Sequence, residues 1–129
     1  MSARLTAADH TLRAISEDAL LTWVLDVAKM HGWRSYHARP GRTTKGWRTP
    51  VQGDGVGFLD VLLLHSQCDY GVVAEIKRET GRTTPEQDAW LAAFRRAGWV
   101  AMVVRPSDRD ALYALLSRPQ AHMPTDPAS

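Results

Sequence analysis

The stretch that most constrains this chain is Phe58 to Lys77, FLDVLLLHSQCDYGVVAEIK. Two short apolar runs flank a polar turn, Ser66–Tyr70, which is the pattern of a β-hairpin. Side chains alternate between the two faces of a strand. Phe58, Asp60, Leu62 and Leu64 therefore share one face of the first run. In the second run Val73, Glu75 and Lys77 share a face, and Val72, Ala74 and Ile76 take the other. The only acid of the first strand thus lies among Phe and Leu, and two charges of the second strand point the same way. A buried carboxylate without a partner is costly. Two carboxylates and a lysine brought together would share that cost, and a divalent cation would lower it further.

The rest of the chain reads as elements built around this hairpin. Residues 1–15 have weak periodicity and read as an arm with at most a helical turn. Ser16 reads as an N-cap, with Glu17 and Asp18 in the first turn where the helix dipole favours anions. Leu20, Leu21, Val24, Val27 and Ala28 recur at helical spacing, and Gly32 ends the helix. At 100° per residue Glu17 falls on that apolar stripe, so its carboxylate is expected to face the core or a cleft. Trp33–Ala38 reads as a strand, and Arg39–Gly57, rich in Arg, Gly, Thr and Pro, as a long loop. Gly57 permits a close backbone approach to a ligand, or simply a turn.

Beyond Lys77, Thr84-Pro85-Glu86-Gln87 is a strong helix start, with Thr at N-cap, Pro at N1 and Gln at N3. Trp90, Leu91, Phe94 and Ala97 form the buried stripe of that helix, on which Gln87 also lies, and Gly98 closes it. Trp99–Val104 is an apolar strand, Ser107 caps a last helix with Leu112, Leu115 and Leu116 inward, and residues 118–129 form a loose tail with three prolines. The helix between the last two strands implies a right-handed crossover that leaves them parallel. One domain, 16–117, is expected to be α/β: an αβββαβ core with a mixed sheet flanked by helices, plus a C-terminal helix.

A chain of 129 residues supports a single core, and 44% apolar with 23% charged residues is ordinary for a globular protein. No apolar run reaches the ~20 residues that span a bilayer, and the first ten residues lack the apolar core of a secretory signal. One cysteine, Cys68, excludes an internal disulfide and a multi-cysteine zinc site. A cytoplasmic setting without membrane contact is expected. The net charge of +2 is uneven. Arg34, Arg39, Arg42, Lys45 and Arg48 fall between Trp33 and Thr49 without an acid, leaving 11 basic against 14 acidic residues elsewhere. Such a segment is either a solvated loop or a polyanion contact.

Each polar candidate has an ordinary explanation when taken singly. Glu-x-Lys in a strand is commonly a surface pair, Gln87 is accounted for by a capping box, Glu17 by the helix dipole, and His37 by partial burial in a strand. Taken together, a strand acid, a Glu-x-Lys on the next strand and two inward polar residues on flanking helices form one converging set.

That set, Asp60…Glu75-Ile76-Lys77, resembles the PD-(D/E)xK nuclease superfamily. The finer resemblance is to the VRR-NUC nucleases, including the small stand-alone kind of phages and bacteria. It rests on Ser16-Glu17, Gly32-Trp33 with Tyr36-His37, Gly57 to Asp60, Glu75-Ile76-Lys77, Gly81-Arg82 followed by Pro85-Glu86-Gln87 and Trp90, then Gly98 and Arg105-Pro106. Leu59 stands where the family usually carries Pro before the strand acid.

The resemblance implies a restriction-endonuclease-like core and a Mg²⁺- or Mn²⁺-dependent DNA endonuclease that leaves 5′-phosphate ends. Asp60, Glu75 and the backbone carbonyl of Ile76 would be the metal ligands, hard oxygens that suit Mg²⁺. Lys77 would act on the attacking water and the reacting phosphate, Glu17 would support the metal site, and Gln87 would fix Lys77 or the nucleophile. His37, Arg39, Arg42, Lys45, Trp47, Arg48 and Arg82 are the expected DNA contacts, and Trp47 could stack on an unpaired base. The stand-alone relatives imply a homodimer acting on branched DNA such as four-way junctions. The other readings are a nuclease acting on linear duplex and a DNA-binding module without catalysis.

Overall fold

The computed structural model describes residues 4–37, 41–43, 46–48 and 57–119, and for 41–43 and 46–48 the backbone alone. Four strands form a mixed sheet. β1 (Trp33–His37), β4 (Val61–His65) and β5 (Gly71–Ile76) are antiparallel neighbours, and β6 (Val100–Val104) lies parallel to β5, giving the order β1-β4-β5-β6. The parallel pair is bridged by α3 (Pro85–Arg96), as the crossover pattern requires. Val61 stands opposite Ala74 and Leu64 opposite Gly71, which is the hairpin expected from period two.

The alternation sorts the sheet into two faces. Val61, Leu63, Val72, Ala74, Ile76 and Val104 pack under α2 (Glu17–Met30) and α4 (Arg109–Ser117), against Leu20, Val24, Leu112 and Leu116. Val73 and Ala101, with Leu62 and Val103, meet Leu91, Trp90 and Phe94 of α3 on the other face. Burial of large aliphatic side chains on both faces, at about 1.5–3 kcal/mol each, is the main cohesion. Polar ties then fix the layers. The Trp33 indole donates to the Leu116 carbonyl at 2.9 Å, and the Tyr70 hydroxyl donates to the Pro119 carbonyl at 2.6 Å. The second bond anchors the start of the segment expected to be loose; residues 120–129 lie outside the described residues.

Four sequence expectations need correction. Ala7–Ala14 is a helix, α1, closed by a reciprocal capping box between Thr6 and Asp9. It buries no residue, so its order comes from the cap and not from a core face. Second, the expected loop 39–57 contains a two-stranded sheet of β2 (Gly41–Thr43) paired antiparallel with β3 (Gly46–Arg48). Three residues per strand are too few to show an alternation. Third, Ser107 does not cap α4. It sits within a 3-10 turn, Pro106–Asp108, whose Asp108 carboxylate accepts from the Arg105 N–H. Fourth, Glu17 is exposed and not directed into the core. Helical side chains tilt toward the N-terminus, so a first-turn residue projects past the end of the layer it belongs to.

No helix among the described residues is long and apolar enough to cross a membrane.

Candidate metal centre

The site forms where β4 begins and β5 ends, on the α3 face. Asp60 precedes β4 and Glu75 lies one residue before the end of β5. The Asp60 carboxylate caps the hairpin, its Oδ2 accepting the Ile76 N–H at 2.8 Å. Ladder pairing between β4 and β5 has ended there, so a side chain satisfies an amide that would otherwise be unpaired. The Ile76 carbonyl leaves the strand by the same edge as its N–H and is directed toward Asp60.

Glu75 is 3% exposed and is the only buried charged side chain among the described residues. Its Oε1 accepts from Gln87 Nε2 at 2.7 Å and lies 3.5 Å from Lys77 Nζ. Its Oε2 is buried without a hydrogen-bonding partner among the described residues. Burial, and then the Asp60 charge, push the Glu75 carboxyl up to about 8, with Lys77 opposing the shift. The buried Glu75 therefore takes up a proton far more readily than an exposed acid.

Helix α3 brings Gln87 to this point through its own cap. Gln87 Oε1 accepts the Thr84 N–H at 2.9 Å and the Gln87 N–H donates to Thr84 Oγ1 at 3.2 Å. The amide oxygen is used by the cap and the amide nitrogen by Glu75, which fixes the orientation of the side chain. Gly57, at φ +76°, resolves the two readings of its role. A Cβ there would collide with the Glu86 side chain, so the close approach is to the first turn of α3.

Arg105 is a residue whose part the sequence reading missed. Its Nε and Nη2 both donate to the Gly81 carbonyl, at 3.2 and 2.9 Å. A Cβ on Gly81 would press on the Lys77 Cβ at 3.3 Å, so the turn held by Arg105 backs Lys77. A side chain-to-carbonyl fork across 24 residues has no local sequence signature.

The structure thus brings Asp60, Glu75, Ile76, Lys77 and Gln87 together. Glu17 stands at the exposed first turn of α2, and no hydrogen bond or ion pair among the described residues joins it to that group. The last turn of α1 does contact the segment after Lys77, since Arg78 Nη2 donates to the Arg13 carbonyl at 3.3 Å. His37 is half-buried opposite Val61, which places it on the α2 face, away from the Asp60 carboxylate. Arg82 is exposed beside the turn that Arg105 holds. Arg42, Trp47 and Arg48 are placed by their backbones in β2 and β3, and Arg39 and Lys45 lie outside the described residues.

No group of three or more His, Cys, Asp or Glu side chains occurs among the described residues, so two carboxylates and a main-chain carbonyl are the donors on offer. They fit a hard divalent cation. The orphaned Oε2 and the like-charged Asp60 make an anionic, desolvated pocket that a cation would relieve.

Comparison with protein-family models, with curated proteins and with solved structures finds no match.

Proposed function

We propose that this protein is a divalent-metal-dependent DNA endonuclease of the PD-(D/E)xK type, within a restriction-endonuclease-like fold. The observation that carries the reading is the buried Glu75 carboxylate, held by Gln87 and Lys77 beside Asp60, with one oxygen left unpartnered. A buried acid confined to structural work would be paired on both oxygens.

Asp60, Glu75 and the Ile76 carbonyl would hold Mg²⁺ or Mn²⁺, which when bound supplies Lewis-acid polarisation of a phosphodiester. The chain's own residues do the rest. Gln87 locks Glu75 in one rotamer through a hydrogen bond whose other end is tied into the helix cap. Lys77, 15% exposed, sets its ammonium 3.5 Å from the buried carboxylate. There it orients the attacking water and offsets the charge that grows on the phosphate oxygens in the transition state. The resemblance points further to branched DNA as substrate, a homodimer as the working unit and 5′-phosphate products. Two sites related by a two-fold axis could cut opposing strands of a symmetric junction.

The test is incubation of end-labelled four-way junction, flap and linear duplex with the protein in Mg²⁺, in Mn²⁺ and in EDTA. The reading expects metal-dependent cleavage that Asp60→Ala and Glu75→Ala abolish. Full activity in either variant, or no cleavage of any DNA, would overturn it.

A further inference from the structure

Helix α3 covers only part of the sheet face on which the site opens. It packs on β5, β6 and Leu62 of β4, and among the described residues the rest of the β1–β4 side of that face is exposed. Register identifies what is displayed there. Tyr36 stands opposite Leu62, whose own partner Val73 belongs to the α3 layer, so Tyr36 points to the α3 side. Arg34 stands opposite Leu64, two residues along on the same face. Tyr36 is 64% exposed, Leu64 is 51% exposed and Arg34 is exposed. Asp60 lies on this face two positions before Leu62, so the bare strip begins at the candidate metal centre. At its far end the Trp99 ring lies over Gly71, where a Cβ would collide with it, and a hollow of 340 Å³ opens beside Leu64.

We propose that this half-sheet is a track for a DNA strand with unpaired bases, on which Tyr36 stacks a base next to the cleaved phosphate and Arg34 contacts the backbone. The inference rests on the nuclease reading only for where the cleaved bond lies. An exposed aromatic ring beside a cation on a sheet is the arrangement that holds single strands, because every base has a π-face. On this face the two strands themselves carry one charged side chain, the cation Arg34, since His37 and His65 pair with the α2 layer. A second copy of this chain fits the strip poorly. Two-fold pairing would set two patches against each other, each presenting Arg34. Tyr36 and Leu64 are also few apolar anchors for an interface of ~1,200 Å² or more.

The test is fluorescence anisotropy in EDTA, where binding is read without cleavage. It uses a labelled single-stranded oligonucleotide and a fully paired blunt duplex, with the wild type, Tyr36→Phe, Tyr36→Ala and Arg34→Ala. The proposal expects Tyr36→Phe to bind like the wild type. Tyr36→Ala should weaken single-strand binding about ten-fold, the scale of one lost stack, and duplex binding less than two-fold. Arg34→Ala should weaken single-strand binding and flatten its salt dependence. Equal loss on both DNAs, no loss with Tyr36→Ala, or no binding by the wild type overturns it. So does a Tyr36→Ala protein that changes sedimentation and not DNA binding, which would make the strip a contact between copies. The nuclease reading fails separately, if wild-type protein that binds DNA never cuts it in Mg²⁺ or Mn²⁺. Tyr36 is too exposed for its loss to unfold the chain, and matching thermal melts verify this.

Discussion

Gln87 donates its amide nitrogen to Glu75 at 2.7 Å while its amide oxygen accepts the Thr84 N–H at 2.9 Å. One side chain therefore starts a helix and locks an acid of the candidate metal centre. The capping box and the site role, which look like rivals in sequence, are the two ends of the same amide.

This gives separable outcomes for two substitutions. Gln87→Ala removes both bonds and should cost about 1–2 kcal/mol of stability, the scale of a lost cap, together with a fall in turnover. Gln87→Glu keeps an acceptor for Thr84 but sets a second anion against Glu75. It should retain most of the cap and lose more activity than its stability change explains. Thermal melts beside single-turnover cleavage distinguish the two effects, and equal rates for wild type and Gln87→Glu would confine Gln87 to the cap.

Lys77 is tied to Glu75 by a 3.5 Å contact, and its side chain is 15% exposed. Lys77→Ala should reduce the cleavage rate far more than DNA affinity, because its charge is used in the transition state. Loss of affinity in proportion to rate would make Lys77 a phosphate contact only.

The raised Glu75 carboxyl predicts how stability changes with pH. The unfolded chain loses this proton near 4.5 and the folded chain near 8. Between those values the native state binds the extra proton, so its contribution to stability falls as pH rises from about 4.5 to about 8 and levels off above. Glu75→Gln keeps an acceptor for Gln87 and removes the charge. It should abolish this part of the slope and raise stability at pH 8 by about 1–3 kcal/mol, the scale of desolvating a buried polar group. Denaturant melts at pH 5 and pH 8 measure it; a variant less stable than wild type at pH 8 would contradict the assignment.

The basic residues between β1 and β4 predict a salt effect. Four phosphate contacts from Arg39, Arg42, Lys45 and Arg48 would contribute roughly −3.6 to the slope of log affinity against log salt. Changing all four to Ser should flatten that slope on an Asp60→Ala background, which keeps the DNA intact. An unchanged slope would make the segment a solvated surface.

What was legible in the sequence followed from periodicity. Period two placed Asp60, Glu75 and Lys77 on one face, and helical spacing put Gln87 beneath Leu91 and facing them; the contacts agree. The parallel β5–β6 pair followed from the helix between the strands. Glu17 misled because a helical wheel describes a stripe and not where the covering layer ends. Helix α1 was hidden because its order comes from the Thr6–Asp9 cap, without a buried face. Arg105 on Gly81 joins residues 24 apart, a contact that only the tertiary fold creates.

The most direct test is isothermal titration calorimetry of Mn²⁺ into the wild type and Glu75→Gln at pH 7, in buffers of different ionisation enthalpy. A cation that binds the Asp60–Glu75 pair competes with the proton that the raised Glu75 carboxyl favours at that pH. The account predicts saturable binding by the wild type with release of about one proton per site, and loss of both in Glu75→Gln. Equal binding by the two proteins, or binding by the wild type without proton release, would contradict it.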